Sequence, residues 1–306
     1  MCPSRLRRNV AHITLAAPEV TFIAVRAVFR SGGIILVIQR MSNGGINRVQ
    51  QNSQLNQFGP IPPASGPETK DDVDFLLSCR RRYTFQPIYR TSGRLLGVEL
   101  LTAISHPTIP HQTLSPEVYF ARIDVGMRLK IVIEQMQLLR RLHDRFVRDD
   151  LLASVNIDGP VLMALQKNLQ AKKLIASMPW LRFELVECQE GLPKELLNAL
   201  PEASRLWLDD FGCGVANFSS LLMVRHDCIK VARELFVMLQ QTEEGRQIFH
   251  LLITLMTRYC NYIVVEGVET ENEWGMVKES NATAAQGYFL SRPQPFEYFE
   301  SLKLEF

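Results

Sequence analysis

The chain lacks a surplus of charge of either sign. Its 34 lysines and arginines stand against 32 acids in 306 residues, a formal charge of +2. A general nucleic-acid binder concentrates basic residues in a stripe, so duplex nucleic acid is not an expected partner. Any anionic ligand must be held by a local site. Cysteine is scarce and scattered. Cys2, Cys79, Cys188, Cys213, Cys228 and Cys260 include no CxxC pair and no zinc-type spacing. They read as reduced thiols of a cytoplasmic protein, several of them in apolar runs where a thiol behaves as a small hydrophobe. Long apolar runs are missing too. The one candidate, Val20 to Ile38, is interrupted by Arg26, Arg30 and Gly32-Gly33, and a membrane span needs roughly 20 apolar residues. No small-residue cleavage site of a secretory signal follows it. His106, His111, His143, His226 and His250 show no ligand spacing and are expected to be satisfied or solvated.

What is present begins with a compositional break. Residues 42 to 70 are rich in Asn, Gln, Gly, Ser and Pro, and such a stretch buries too little apolar surface to offset its ordering entropy. Residues 1–70 are therefore expected to be an extension and flexible lead-in, disordered, before a domain over 71–306 that opens with a helix from Val73 to Arg81. From Tyr83 onward short apolar runs alternate with helical segments, which predicts βα units around a largely parallel sheet. The predicted strands are Thr84–Arg90, Leu95–Ile104, Leu152–Asp158, Leu181–Glu187, Leu206–Phe211, Cys228–Val231, Tyr262–Val268 and Ala284–Leu290. Eight is the number that closes a (β/α)8 barrel. Apolar spacing predicts helices over Arg128–Arg148 and Glu234–Tyr259. Pro160 and Pro193 stand where helices begin, because the missing N–H costs nothing there.

The polar residues collect where these strands stop. Glu99, Asn156, Glu184, Asp209, Asp210 and Glu266 are strand-end residues, Lys230 interrupts an apolar run, and Gln286 follows Ala284-Ala285. In a barrel the carboxyl ends of strands converge on one mouth, where chemistry sits. Five carboxylates and one ammonium in that space form a charge a partly desolvated cavity does not hold uncompensated. Oxygen-rich, thiol-free ligation suits a hard divalent cation, Mg²⁺ or Mn²⁺, and a two-metal centre serves in-line phosphodiester hydrolysis. Adjacent Asp209 and Asp210 would point to opposite faces within a strand, so the strand is expected to end there. A single acid at a strand end is more often a solvated cap; the series carries the weight. The Asp-Phe-Gly at 210–212 occurs without a glycine-rich loop or His-Arg-Asp motif, which sets a kinase aside. A glycosidase acid pair fits poorly with Lys230 beside adjacent aspartates.

These blocks, in order, resemble the EAL phosphodiesterase family over roughly residues 80 to 300. They are Gln86-Pro87-Ile88, Glu99-Leu100-Leu101, Asn156-Ile157-Asp158, Glu184-Leu185-Val186-Glu187, Asp209-Asp210-Phe211-Gly212-Cys213-Gly214, Lys230, Glu266-Gly267-Val268-Glu269 and Gln286-Gly287-Tyr288. The resemblance implies an α/β (β/α)8 TIM-like barrel with one antiparallel strand. It implies hydrolysis of cyclic-di-GMP to linear pGpG with two Mg²⁺ or Mn²⁺ ions, favouring motility over adhesion. Glu99, Asn156, Glu184 and Asp209 would be metal ligands, Asp210 would bridge to or bind the second ion, and Glu266 would complete the set. Lys230 would hold the attacking water, Gln286 and Gln86 would contact substrate, and Glu187 and Glu269 would organise the loop after Asp210 and link it to a homodimer. The alternative within the family is a non-catalytic cyclic-di-GMP sensor or protein-binding regulator.

Two departures stand out. The position four residues after Glu99, where the family places an Arg on a substrate phosphate, is Ala103, leaving Arg90 or Arg292 as replacement cations. Cys213 stands in place of a small hydroxyl residue. At the other end, Val37 to Asn43 resembles the opening of short, stand-alone members, whose chains would start near Gly33. That makes residues 1 to about 32 an expected upstream over-reading, with no room for an added sensory domain.

Overall fold

A computed structural model describes residues 22–30, 33–41, 70–109, 112–186, 200–213 and 226–306. The chain divides into two compact units, one spanning Met1–Thr69 with 215–220 and the other Lys70–Gly214 with Leu221–Phe306. In the first, β1 (Phe22–Arg30) and β2 (Gly33–Met41) pair as an antiparallel hairpin whose register runs from Phe22↔Met41 to Arg30↔Gly33. Of the lead-in expected at 42–70, all but Lys70 lies outside the described residues, and Lys70 already belongs to a helix.

The second unit opens with α1 (Lys70–Ser78), which stops three residues short of its expected end. Arg80 and Arg81 already belong to β3 (Arg80–Arg90). β4 (Leu95–Ser105) returns antiparallel, and the short β5 (Thr113–Leu114) pairs with its far end. The segment to the next strand carries α2 (Pro116–Arg122), α3 (Val125–Arg140) and α4 (His143–Arg148). The single helix expected over Arg128–Arg148 is thus two. The break at Leu142 lets α4 bury Phe146, which stacks on Trp180 at 4.1 Å.

β6 (Leu152–Ile157), α5 (Gly159–Leu165), α6 (Leu169–Ala176), β7 (Leu181–Val186), β8 (Leu206–Phe211) and β9 (His226–Val231) follow. Asp158 caps α5 by accepting from Val161 N at 2.8 Å, with Pro160 in the first turn as expected; Pro193 lies outside the described residues. Next come α7 (Arg233–Gln240) and α8 (Glu243–Met256), where one helix was expected. Thr242 separates them. Its hydroxyl accepts from Gly245 N at 3.0 Å, and Glu243 and Glu244 fill the first turn, where acids suit the helix dipole. β10 (Cys260–Val265), α9 (Glu271–Glu279), β11 (Ala284–Ala285) and β12 (Gln294–Pro295) complete the unit.

The barrel closes through eight strands. β4, β6, β7, β8, β9, β10 and β11 run parallel in that order, and β3 lies antiparallel between β11 and β4. The eight strand positions and the one antiparallel strand match the expectation, although the strand expected over Ala284–Leu290 is only Ala284–Ala285. Strands covered on both faces read as near-continuous apolar runs, and every residue of β9 is buried, Lys230 included. The floor of the interior is an apolar plug of Ile88, Leu96, Trp207, Cys228, Val264 and Ala284, drawn from six strands. Fully buried, Ile88, Leu96 and Val264 contribute about 1.5–3 kcal/mol each. Among the described residues no helix is long and apolar enough to cross a membrane.

Candidate active site

Above that plug the inward positions turn polar. Lys230 of β9 is 1% exposed, and its Nζ lies 2.8 Å from Glu184 Oε2, 2.8 Å from Glu266 Oε1, 3.0 Å from Asp209 Oδ1 and 3.1 Å from Glu99 Oε2. Three strands and the residue that follows β10 thus deliver four carboxylates to one ammonium. Parallel pairing sets the height: Asn156 stands opposite Glu184, and Val186 opposite Asp209.

Glu99 accepts from Asn156 Nδ2 at 2.8 Å, Gln286 Nε2 at 2.9 Å and Lys230. Gln286 Nε2 also donates to Gln86 Oε1 at 3.1 Å, and Gln86 Nε2 donates to the Ser291 carbonyl at 3.2 Å. The mouth therefore joins Gln86, Glu99, Asn156, Glu184, Asp209, Lys230, Glu266 and Gln286.

Asp210 corrects one expectation. The strand does not stop at the paired aspartates but runs to Phe211, the bound predicted for the strand itself, with an irregularity in register between Leu208 and Phe211. Asp210 sits at φ +55°, a left-handed conformation that Asp tolerates better than most residues. The bulge breaks the alternation of faces, so both aspartates stay close enough to Lys230 to feel its charge.

Glu269 stands apart. Its Oε2 pairs with Arg233 Nη2 at 2.8 Å, and Arg233 also donates to the Gly267 carbonyl. Gly267 has φ +68°, and a Cβ there would meet the Arg233 side chain at 2.5 Å, which is why glycine follows Glu266. Sequence reasoning passed over Arg233, although a basic residue opening the helix after Lys230 was its available signal. Glu187 lies outside the described residues. Of the two replacement cations, Arg90 is excluded: β3 runs downward, so Arg90 pairs with Ala284 at the floor. The Arg292 guanidinium lies over the Tyr288 ring at 4.3 Å.

The electrostatics follow from burial. Desolvation pushes Glu184 well above the usual carboxylate range, and Glu99 and Asp209 add repulsion. Burial lifts Glu266 to about 8 and raises Asp210. Glu99 goes the other way. Burial raises it, but Lys230 and the amides of Asn156 and Gln286 hold it below its ordinary value. Lys230 is held well above the ordinary lysine range, because the surrounding acids outweigh its desolvation. Such a set titrates jointly.

Suitability for a divalent cation can be judged from the oxygens. Glu184 Oε1, Asp209 Oδ1 and Gln286 Oε1 are buried without a hydrogen-bond partner; Asp209 Oδ1 reaches Lys230 only as an ion pair. The donors are carboxylates and amide oxygens, the class that hard cations take. Among the described residues no group of three or more acids, histidines or cysteines is already arranged to hold a metal ion. The residues fit a hard cation chemically.

Comparison with known proteins bears on the family and the fold. The chain is 53% identical over 236 residues, 77% of its length, to the cyclic di-GMP phosphodiesterase PdeH of Escherichia coli (strain K12), of which it covers 92%. Its fold is similar to the EAL-like domain protein YdiV, with a TM-score of 0.66 and 18% identity over 74% of this chain and 98% of that one. It is also similar to the PaMucR phosphodiesterase in its c-di-GMP complex, with a TM-score of 0.60 and 22% identity over 76% and 98% of the two chains. The EAL domain profile matches residues 73–293, and the chain belongs to the EAL domain family.

Proposed function

We propose that this chain is a cyclic-di-GMP phosphodiesterase that opens the cyclic dinucleotide to linear pGpG. The observation that carries the reading is the under-compensated acid cluster around Lys230, in a chain 53% identical to a cyclic di-GMP phosphodiesterase. Glu99, Asn156, Glu184, Asp209, Asp210 and Glu266 would hold two Mg²⁺ or Mn²⁺ ions. Bound there, these supply Lewis-acid stabilisation of charge developing on the scissile phosphate. Cation binding requires the ammonium to give up some of its four partners.

The chain's own groups do the rest. Lys230 is a fixed donor at the centre of the mouth, placed to hold and orient the attacking water. Glu99 is fixed by three donors and keeps that position. Gln86 and Gln286 present amides to the sugar or base, and the bulge at Asp210 brings its carboxylate alongside Asp209. Glu187 and Glu269 organise the loop beyond Asp210, with Arg233 as the partner of Glu269, and couple it to a homodimer. The protein works in the cytoplasm as a 71–306 domain behind a 1–70 extension, lowering cyclic-di-GMP and favouring motility.

The second reading, a non-catalytic cyclic-di-GMP sensor or regulator, draws on Ala103, which brings no cation to the mouth. Purified protein incubated with cyclic-di-GMP and Mg²⁺ or Mn²⁺, with and without EDTA, separates the two. Chelator-sensitive pGpG on chromatography is expected. Binding without turnover would transfer the protein to the second reading.

A further inference from the structure

The proposed substrate carries two phosphodiesters. The one that is opened lies over the acid cluster, and the other needs a cation of its own. The cations near the mouth are mostly committed. Lys230 is surrounded by four carboxylates. Arg233 is tied to Gly267 and Glu269, Arg128 to Asp158 at 2.7 Å, and Arg292 stacks on Tyr288.

The antiparallel ribbon of β3 and β4 rises above the mouth, and its register is regular from Arg80↔Ser105 down to Ile88↔Gly97. Gln86 is opposite Glu99, Thr84 opposite Leu101 and Arg82 opposite Ala103. Alternate residues of a strand share a face, so Arg82 lies on the face of Gln86 and Glu99, the face of the site. Arg81 confirms the parity: it points to the helical layer, donating to Tyr119 Oη at 3.3 Å and Glu134 at 3.4 Å. Arg82 is exposed, and among the described residues it has no hydrogen-bond or ion-pair partner. Four residues at about 3.3 Å each put it roughly 13 Å above Gln86 along the ribbon. The second phosphate of a cyclic dinucleotide seated over the acids lies closer than that, so the long Arg82 side chain would have to reach back down the ribbon toward it. Across from it, Ala103 leaves room for the guanidinium to turn inward.

We propose that Arg82 binds the phosphodiester that is not cleaved, as a positioning residue that selects a substrate with a second anionic phosphate. The inference rests on the proposed phosphodiesterase reading. A planar guanidinium engages a phosphate with two parallel N–H···O bonds, so its loss should weaken substrate binding rather than the chemical step.

The test is steady-state hydrolysis of cyclic-di-GMP by the full chain with Mg²⁺. Arg82→Ala should raise KM by roughly 10- to 50-fold, as loss of a charge-assisted bond implies, with kcat reduced less than threefold. Arg82→Ala combined with Ala103→Arg returns a guanidinium from the facing strand, and KM should recover most of the loss. A KM within twofold of the unsubstituted chain, or a fall in kcat at constant KM, overturns the proposal. So does a double variant no better than Arg82→Ala. If the unsubstituted chain neither binds nor opens cyclic-di-GMP, the phosphodiesterase reading has failed and this inference falls with it.

Discussion

Two buried polar clusters share the barrel strands, and they are built on opposite principles. At the floor, Asp227 is 7% exposed and its carboxylate is fully engaged. It accepts from Arg182 Nε at 2.6 Å, Trp207 Nε1 at 3.2 Å and Asn261 Nδ2 at 2.9 Å. Charge is balanced one to one, and the amide and indole donors occupy the remaining lone pairs. At the mouth, β7, β8 and β9 supply Glu184, Asp209 and Lys230 two or three residues further along, and there acids outnumber the ammonium five to one. Buried oxygens are left without donors. Balance marks a cluster that holds strands together; imbalance marks one that stores electrostatic cost for a ligand to relieve.

The sharpest way to break that comparison is to neutralise one acid at each end. Asp209→Asn removes a charge from the crowded end. Turnover should fall about a thousandfold or more, as for loss of a group acting at the reacting centre. The thermal midpoint should hold or rise as repulsion is relieved. A large drop in the midpoint would mean that the mouth, too, is a structural lock. At the floor the opposite is expected. Asp227→Ala strands the Arg182 guanidinium without its partner and should cost about 3 kcal/mol in urea unfolding. The kcat measured well below the midpoint should stay within a few-fold. Equal damage to activity and stability by both variants would erase the distinction.

A pH scan sharpens the contrast from the floor side. His226 is 5% exposed, and its Nδ1 has no hydrogen-bond partner. Burial lowers its pKa from 6.5 to about 4. The unfolded chain therefore binds the proton first. Stability from this group is complete above pH 6.5 and is lost as pH falls toward 4, by about 2 kcal/mol at pH 5. Urea midpoints at pH 8 and pH 5 should diverge for the natural chain, and the divergence should shrink in His226→Phe. An unchanged gap would remove the histidine from the account.

The smallest effect is expected at the mouth's rim. Cys213 donates to Glu234 Oε2 at 3.1 Å, and burial together with neighbouring acids pushes its thiol up to about 12. A thiol pKa raised in this way leaves little thiolate at neutral pH. Cys213→Ser should change kcat/KM less than threefold, and inactivation by iodoacetamide that this variant abolishes would contradict that.

Legibility in the sequence followed the range of the interaction. Strands such as Leu206–Phe211 and the capped start of α5 at Asp158 and Pro160 were readable, because alternation, Asx caps and proline act within a few residues. The breaks at Leu142 and Thr242 were not. Apolar spacing runs across both, and only packing shows that the two halves lean on different neighbours. Lys230 was legible as a buried charge sharing the mouth with five acids, yet not which four of them its ammonium would pair with. The Asp227 network was invisible, since Arg182, Trp207 and Asn261 look like ordinary strand residues.

The order of acids at strand ends, the count of eight strands and the resulting excess of negative charge were determined by the sequence alone, because each is a local pattern read along the chain. Tertiary structure alone decided how those pieces meet. Closure pairs β3 with β4 and β11, which brings Gln86 to Gln286 across 200 residues. It sets Arg82 opposite Ala103, and a backbone bulge keeps Asp210 beside Asp209. Register and burial depend on residues far apart in the chain, and no local periodicity encodes them.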